Sequence, residues 1–122
     1  MAEKRFAGID GMTESAEIAA DYEAAEKFGK IRVGKLGAYF RDGFHMRYIP
    51  FEYVDRAFIR IHEVNGKLCC GSTVFQYFRL VFVHDGKEFA DVINEDEPMM
   101  DRVLAAIARN SPHTLIGVEK ND

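Results

Sequence analysis

The chain has 122 residues, 48% of them hydrophobic, with 10 Phe, 2 Cys and a formal net charge of −4. That length fits one domain and the apolar content excludes a disordered tail. No apolar run approaches the ~18 residues that span a bilayer, and the acidic balance argues against nucleic-acid binding. The charge is segregated. Residues 1–29 hold 3 basic and 7 acidic groups, residues 30–82 hold 9 and 4, and residues 83–122 hold 4 and 9. The N-terminal residues lack the apolar stretch of an export signal, so a cytoplasmic location is expected. Cys69 and Cys70 are adjacent. Neighbouring Cα atoms lie about 3.8 Å apart, too close for an ordinary disulfide, which agrees with a reducing compartment.

Residues 1–12 offer few apolar anchors and two glycines, and read as a flexible arm ahead of a single domain over 13–122. Thr13 is placed as the cap of a helix over 13–29, with Glu14 and Glu17 where the helix dipole favours acids. Ile18, Tyr22 and Ala25 form a narrow apolar stripe, and Gly29 suits the residue after the helix.

From Lys30 to Asn94 the hydrophobic period changes to two, as in Ala57-Phe58-Ile59-Arg60-Ile61-His62 and in Gln76–Phe82. Asp42-Gly43, Asn65-Gly66 and Asp85-Gly86 supply the positive φ of tight hairpins. Strands are therefore predicted near 31–35, 37–41, 43–49, 54–63, 67–74, 75–84 and 87–93. Gly34 and Gly37 read as bulges within them. A second helix is predicted over 97–110, capped by Asp96 or Glu97, with Pro98 in its first turn and Met99, Met100, Val103, Leu104 and Ile107 as its apolar face. Leu115, Ile116 and Val118 make the tail apolar enough to dock. The resulting class is α+β, mainly β. Residues 30–94 form two packed, near-orthogonal antiparallel sheets or a partly open barrel, closed by the C-terminal helix, with the N-terminal helix as an addition. A helix on one curved sheet, cystatin-like or NTF2-like, is the alternative.

Two stretches carry a family resemblance. Val33–Phe44 is similar to the opening hairpin of bacterial pleckstrin-homology and GRAM-like domains, where a strand ending in an aromatic pair enters a charged-Gly turn. Tyr48-Ile49-Pro50-Phe51-Glu52-Tyr53-Val54 resembles their apolar-Pro-aromatic-acidic-x-Val entry into the next strand. The resemblance spans residues 30–110. It implies a pleckstrin-homology-like sandwich that binds proteins, peptides or phosphoinositides. Lys30, Arg32, Lys35, Arg41 and Arg47 are the nearest basic residues to the family's lipid-binding pattern. His45-Met46-Arg47 stands where that pattern has a (Lys/Arg)-x-Arg pair, and no strong membrane binding is expected.

Arg56, Phe58, Arg60 and His62 share one strand face opposite Ala57, Ile59 and Ile61. Arg56, Phe58 and Arg60, with Lys35 and Arg47, are the candidate ligand-binding residues, suited to a phosphate or an acidic peptide; a solvated face of internally paired arginines is the other reading. Pairing around Asn65-Gly66 would set His62 opposite Cys69, the one catalytic pair the sequence allows. Cys70 reads instead as a small core residue. The cysteines and four histidines lack zinc-ligand spacing, and no phosphate loop or nucleophile elbow is present, so no metal or cofactor is expected. The expected function is a non-enzymatic binding or assembly module with an unidentified protein partner. Strand 67–74, with one charge, predicts self-pairing as a homodimer; its burial within the sheet of a monomer is the alternative.

Overall fold

The computed structural model describes residues 5–9, 11–68, 71–94 and 96–117, with the backbone alone over 63–68 and 71–76. Among them are ten strands in two sheets and two α-helices. The first sheet contains β1 (Arg5–Ala7), β2 (Met12–Glu14), β3 (Glu26–Phe28), β4 (Ile31–Val33), β5 (Gly37–Asp42) and β6 (His45–Pro50). Its order is β2-β1-β6-β5-β4-β3. The second contains β7 (Arg56–Leu68), β8 (Gly71–His84), β9 (Lys87–Asn94) and β10 (Leu115–Ile116), in the order β10-β7-β8-β9. Helix α1 covers Ala16–Ala24 and α2 covers Glu97–Asn110.

The mainly β α+β class is as the sequence predicts. Every pairing within β3–β9 is antiparallel. The two parallel contacts, β1 with β6 and β10 with β7, come from segments flanking that unit. The main core lies between the sheets. Ile31, Val33, Ala38, Phe40 and Ile49 from one sheet meet Ala57, Leu80, Phe82 and Val92 from the other, and Met100, Val103, Ala106 and Ile107 of α2 close it. Asp96 caps α2 by accepting from the Met99 amide at 3.1 Å, which satisfies one of the helix's orphan donors.

The N-terminal segment departs from expectation. Phe6 is fully buried, so 5–14 is a hairpin rather than a loose arm. Thr13 lies in β2. Ser15 instead caps α1, accepting from the Ile18 amide at 3.3 Å. The helix stops at Ala24, because Glu26–Phe28 pairs with β4. Gly29, at φ +63°, turns that hairpin instead of ending a helix. Phe6 and Tyr22 pack on Tyr39 with ring centroids 5.3–5.5 Å apart. Tyr39 alternates with Ala38 and Phe40, so β5 is buried on both faces. Helix α1 therefore covers the side of the six-stranded sheet away from the main core, unlike the helix of a single curved sheet.

Gly34 and Gly37 flank a tight turn, with the Gly34 amide donating to the Gly37 carbonyl at 2.9 Å. The bulge lies elsewhere, at Phe82/Val83 against β9. Two Asx-Gly sites turn as predicted: Gly43 has φ +63°, and Asp85 and Gly86 have φ 52° and 76°. Asn65-Gly66 does not turn. Those residues pair with Val74 and Thr73 inside the β7–β8 ladder. A turn there would set Ala57 against Val74 and strand Leu80 and Phe82 outside the core. Instead Ala57 faces Phe82 and Ile59 faces Leu80, so core alignment overrides turn propensity. Lys67 and Leu68 belong to β7 and Gly71–Val74 to β8, so the predicted strand over 67–74 is divided between two strands that pair with each other. The tail docks, but through polar and backbone groups: Thr114 is buried and donates to the Val54 carbonyl at 3.1 Å, and Leu115 and Ile116 pair with the edge of β7 while their side chains stay exposed. Val118 lies outside the described residues.

Candidate functional site on the outer face of the four-stranded sheet

The alternation read from the sequence puts Phe58, Arg60 and His62 on the side of β7 away from the core. The register sets them opposite Val81, Arg79 and Tyr77 of β8. Two guanidinium groups thus face each other directly, an arrangement that repels unless each is neutralised. Strand β9 supplies the counter-charges. Arg60 forms an ion pair with Glu88, which holds that carboxyl below its ordinary range, and Arg79 reaches Asp91 at 3.3 Å. Arg60 also lies over the Phe58 ring, 5.3 Å from its centroid. Phe58 is only 8% exposed, so this candidate binding residue is a hidden platform beneath Arg60 and presents little ring surface to a ligand. Arg56 is committed to the Gly117 carbonyl at 2.7 Å, securing the C-terminal strand.

The five candidate ligand-binding residues do not converge. Lys35 sits in the turn between β4 and β5, and Arg47 lies on β6 with Asp42 at 3.8 Å. Both belong to the six-stranded sheet, away from Arg56, Phe58 and Arg60. The paired arginines match the alternative of an internally neutralised face. The register that would have set His62 opposite Cys69 is not adopted: His62 lies opposite Tyr77, and the ladder runs on to Leu68 opposite Gly71. Cys69 and Cys70 themselves lie outside the described residues. Among the described residues, no group of three or more His, Cys, Asp and Glu is arranged to hold a metal ion.

Sequence reasoning missed the upper end of this face. The His62 ring stacks on Tyr77 at 5.1 Å and 11°. Its Nε2 is buried without a hydrogen-bond partner among the described residues, as is Nε of Arg79. Leaving such a group unsatisfied costs about 1–3 kcal/mol. Beyond this point β7 and β8 pair only with each other. Strand β9 ends at Asn94 opposite Phe78, and β10 ends at Ile116 opposite Ala57. Residues 62–68 and 71–77 therefore make a two-stranded ribbon extending roughly 20 Å past the sheet, its two outer edges unpaired among the described residues.

The pattern reverses along this ribbon. Continuing in twos from His62–Tyr77, the register gives Val64–Phe75, Gly66–Thr73 and Leu68–Gly71. The positions that continue the core-facing series are Glu63–Gln76, Asn65–Val74 and Lys67–Ser72. Past the sandwich, the apolar series changes sides. That signal is present in the sequence, but it has meaning only once the register is known. Among the described residues, no helix is long and apolar enough to cross a membrane. No family model, curated protein or solved structure matches the chain.

Proposed function

We propose that this protein is a non-enzymatic assembly module on a pleckstrin-homology-like sandwich, and that it recruits a second copy of itself along the β7–β8 ribbon. The order β3–β6, then β7–β9, then a closing helix supports the architecture. The observation that carries the function is the ribbon, with two open edges and an apolar series of positions on the side opposite the core. An isolated two-stranded hairpin is only marginally stable in water, and an unprotected edge invites another strand. A two-fold partner completes the sheet and covers the apolar positions. An enzyme reading has less support, because the polar groups of this face pair with one another and do not converge as acid, base and nucleophile. Anionic membranes are weak ligands in this reading, since the net charge is −4 and the arginines of the face are already paired.

Light scattering over a micromolar concentration series tests the proposal. The expected species is a dimer of the 13.9 kDa chain. The paired variant Val64→Lys/Phe75→Lys, which charges both ribbon strands, is expected to run as a folded monomer with an unchanged far-ultraviolet spectrum. A wild-type monomer up to about 100 µM, where ordinary homodimers of sub-micromolar Kd are assembled, would overturn the assignment. So would a charged variant that remains dimeric.

A further inference from the structure

A second surface lies on the other sheet. Two adjoining cavities, about 760 Å³ and 430 Å³, share Ile18, Tyr48 and Glu52 as a common wall. The larger falls within the size range of small-ligand pockets. Local structure builds it. The Gly8–Gly11 turn, closed by the Gly8 amide donating to the Gly11 carbonyl at 2.8 Å, forms one rim with Met12. Helix α1 contributes Ile18, β6 contributes Tyr48 and Pro50, and the 3₁₀ turn Phe51–Tyr53 contributes Glu52 and Tyr53. The smaller cavity continues past Glu17 and Lys35 to His113.

The lining combines apolar walls with unspent acceptors. Met12, on the rim, is 50% exposed. Glu17 and Glu52 form no ion pair, and the Tyr48 hydroxyl makes no hydrogen bond to a protein group among the described residues. Burial first, then the nearby Glu52, Asp21 and Glu17, pushes the Tyr48 phenol up to about 12, so it stays neutral in a negative field. This cleft rejects an anion and a purely apolar guest alike. Its complement is a delocalised cation on an aliphatic stem. Guanidinium suits it better than ammonium, because it is more weakly hydrated and lies flat on tyrosine faces while hydrogen-bonding to carboxylates.

We infer that the cleft around Tyr48 and Glu52 binds the arginine side chain of an extended peptide, with the guanidinium between Glu52 and the Tyr48 ring and the stem against Met12, Ile18 and Pro50. The continuation into the smaller cavity gives the flanking peptide a path, which a free amino acid would leave empty. This surface is separate from the ribbon and does not depend on self-association.

The test is an amide-resolved NMR titration with a short peptide carrying one central arginine among alanine and glycine. Two controls accompany it: the same peptide with citrulline, which keeps the shape and loses the charge, and N-acetylarginine amide. Shifts are expected at residues 8–13, 17–18 and 48–53. The citrulline peptide should bind about tenfold more weakly, the loss expected for a charge-assisted contact. Glu52→Gln, an exposed residue without a protein partner, should weaken the arginine peptide about threefold, with the spectrum elsewhere unchanged. Equal affinity for the arginine and citrulline peptides overturns the proposal. So do shifts confined to the ribbon or to the outer face of the other sheet. N-acetylarginine amide binding as tightly as the peptide would overturn the peptide as the source of the guanidinium.

Discussion

Asp21 is the side chain whose removal should reveal most about how the six-stranded sheet is held. Its carboxylate accepts from the Lys35 amide at 2.8 Å, the Leu36 amide at 3.1 Å and the Tyr39 hydroxyl at 2.7 Å. It thereby fixes helix α1, the β4–β5 turn and the second aromatic cluster to one point. Gly34 leaves room for it, since a Cβ there would collide with the carboxylate. In Asp21→Ala, water replaces the bond to the exposed Lys35 amide at little cost. The bonds to Leu36 and Tyr39 are partly buried and charge-assisted, at about 1.5–3 kcal/mol each. The expected loss is about 3–6 kcal/mol, against a total of roughly 6–18 kcal/mol for a chain of this length. Urea unfolding should show the midpoint fall with the slope retained. Tyr39→Phe alone should cost about 1–2 kcal/mol. In the double variant the two losses should fall short of additive by about 1.5 kcal/mol, because the bond they share is already gone. A loss below about 1 kcal/mol for Asp21→Ala, or strictly additive losses, would refute this account of the turn.

Two further outcomes follow from the same region. Burial, reinforced by the hydrogen bond to Asp21, raises the Tyr39 phenol well above its ordinary range, and Tyr48 is pushed up to about 12. Because the folded values are raised, the stabilisation is complete below pH ~10 and declines as pH rises toward and through them, by up to about 1.4 kcal/mol per pH unit for Tyr39 and less for the partly exposed Tyr48. Thermal melts from about pH 9 to 12, with phenolate absorbance followed in parallel, check this; all the tyrosines ionising together near pH ~10 without unfolding would contradict it. Gly37→Ala should cost about 1–3 kcal/mol, since its Cβ would strike the Ile49 carbonyl of the paired strand, which cannot move aside. Gly43 lies in open space at φ +63°. Its replacement by Ala should cost about 1–2 kcal/mol through conformation alone. Thermal melting of the two variants checks this, and a loss below about 1 kcal/mol for Gly37→Ala would argue against the collision.

The parts of this fold legible in the sequence are those whose determinants are local. Helix α2 runs over Glu97–Asn110 as predicted, because Asp96, Pro98 and the Asn110-Ser111-Pro112 stop all lie within one turn of its ends. Strands β5, β6 and β9 follow from the Asp42-Gly43 and Asp85-Gly86 turns. The short strands β1, β2, β3 and β10 were illegible, because two or three residues carry no periodicity and their stability comes from distant partners. Phe6 is held by Tyr22 and Tyr39, and Leu115 by the backbone carbonyl of Asp55. Gly29 misled for a physical reason: a positive φ serves a helix end and a hairpin equally well.

The outer face shows the same division. Alternation from Arg56 to His62 was readable, whereas the groups that accept from the arginines come from β9 and the C-terminal segment, 28 positions away for Glu88 and 61 for the Gly117 carbonyl. The hairpin register decides the rest. With Asn65-Gly66 as the turn, Val64, Leu68 and Phe75 would belong to a short capped hairpin and ask for nothing. With Ala57 facing Phe82, the same residues fall on one side of a ribbon that has left its own core behind. A chain that kept those positions uncovered would carry both an open edge and an apolar face at one place. The proposed pairing with a second ribbon would give the open edge a strand to bond to, and it would account for the position of the apolar residues and not merely their presence.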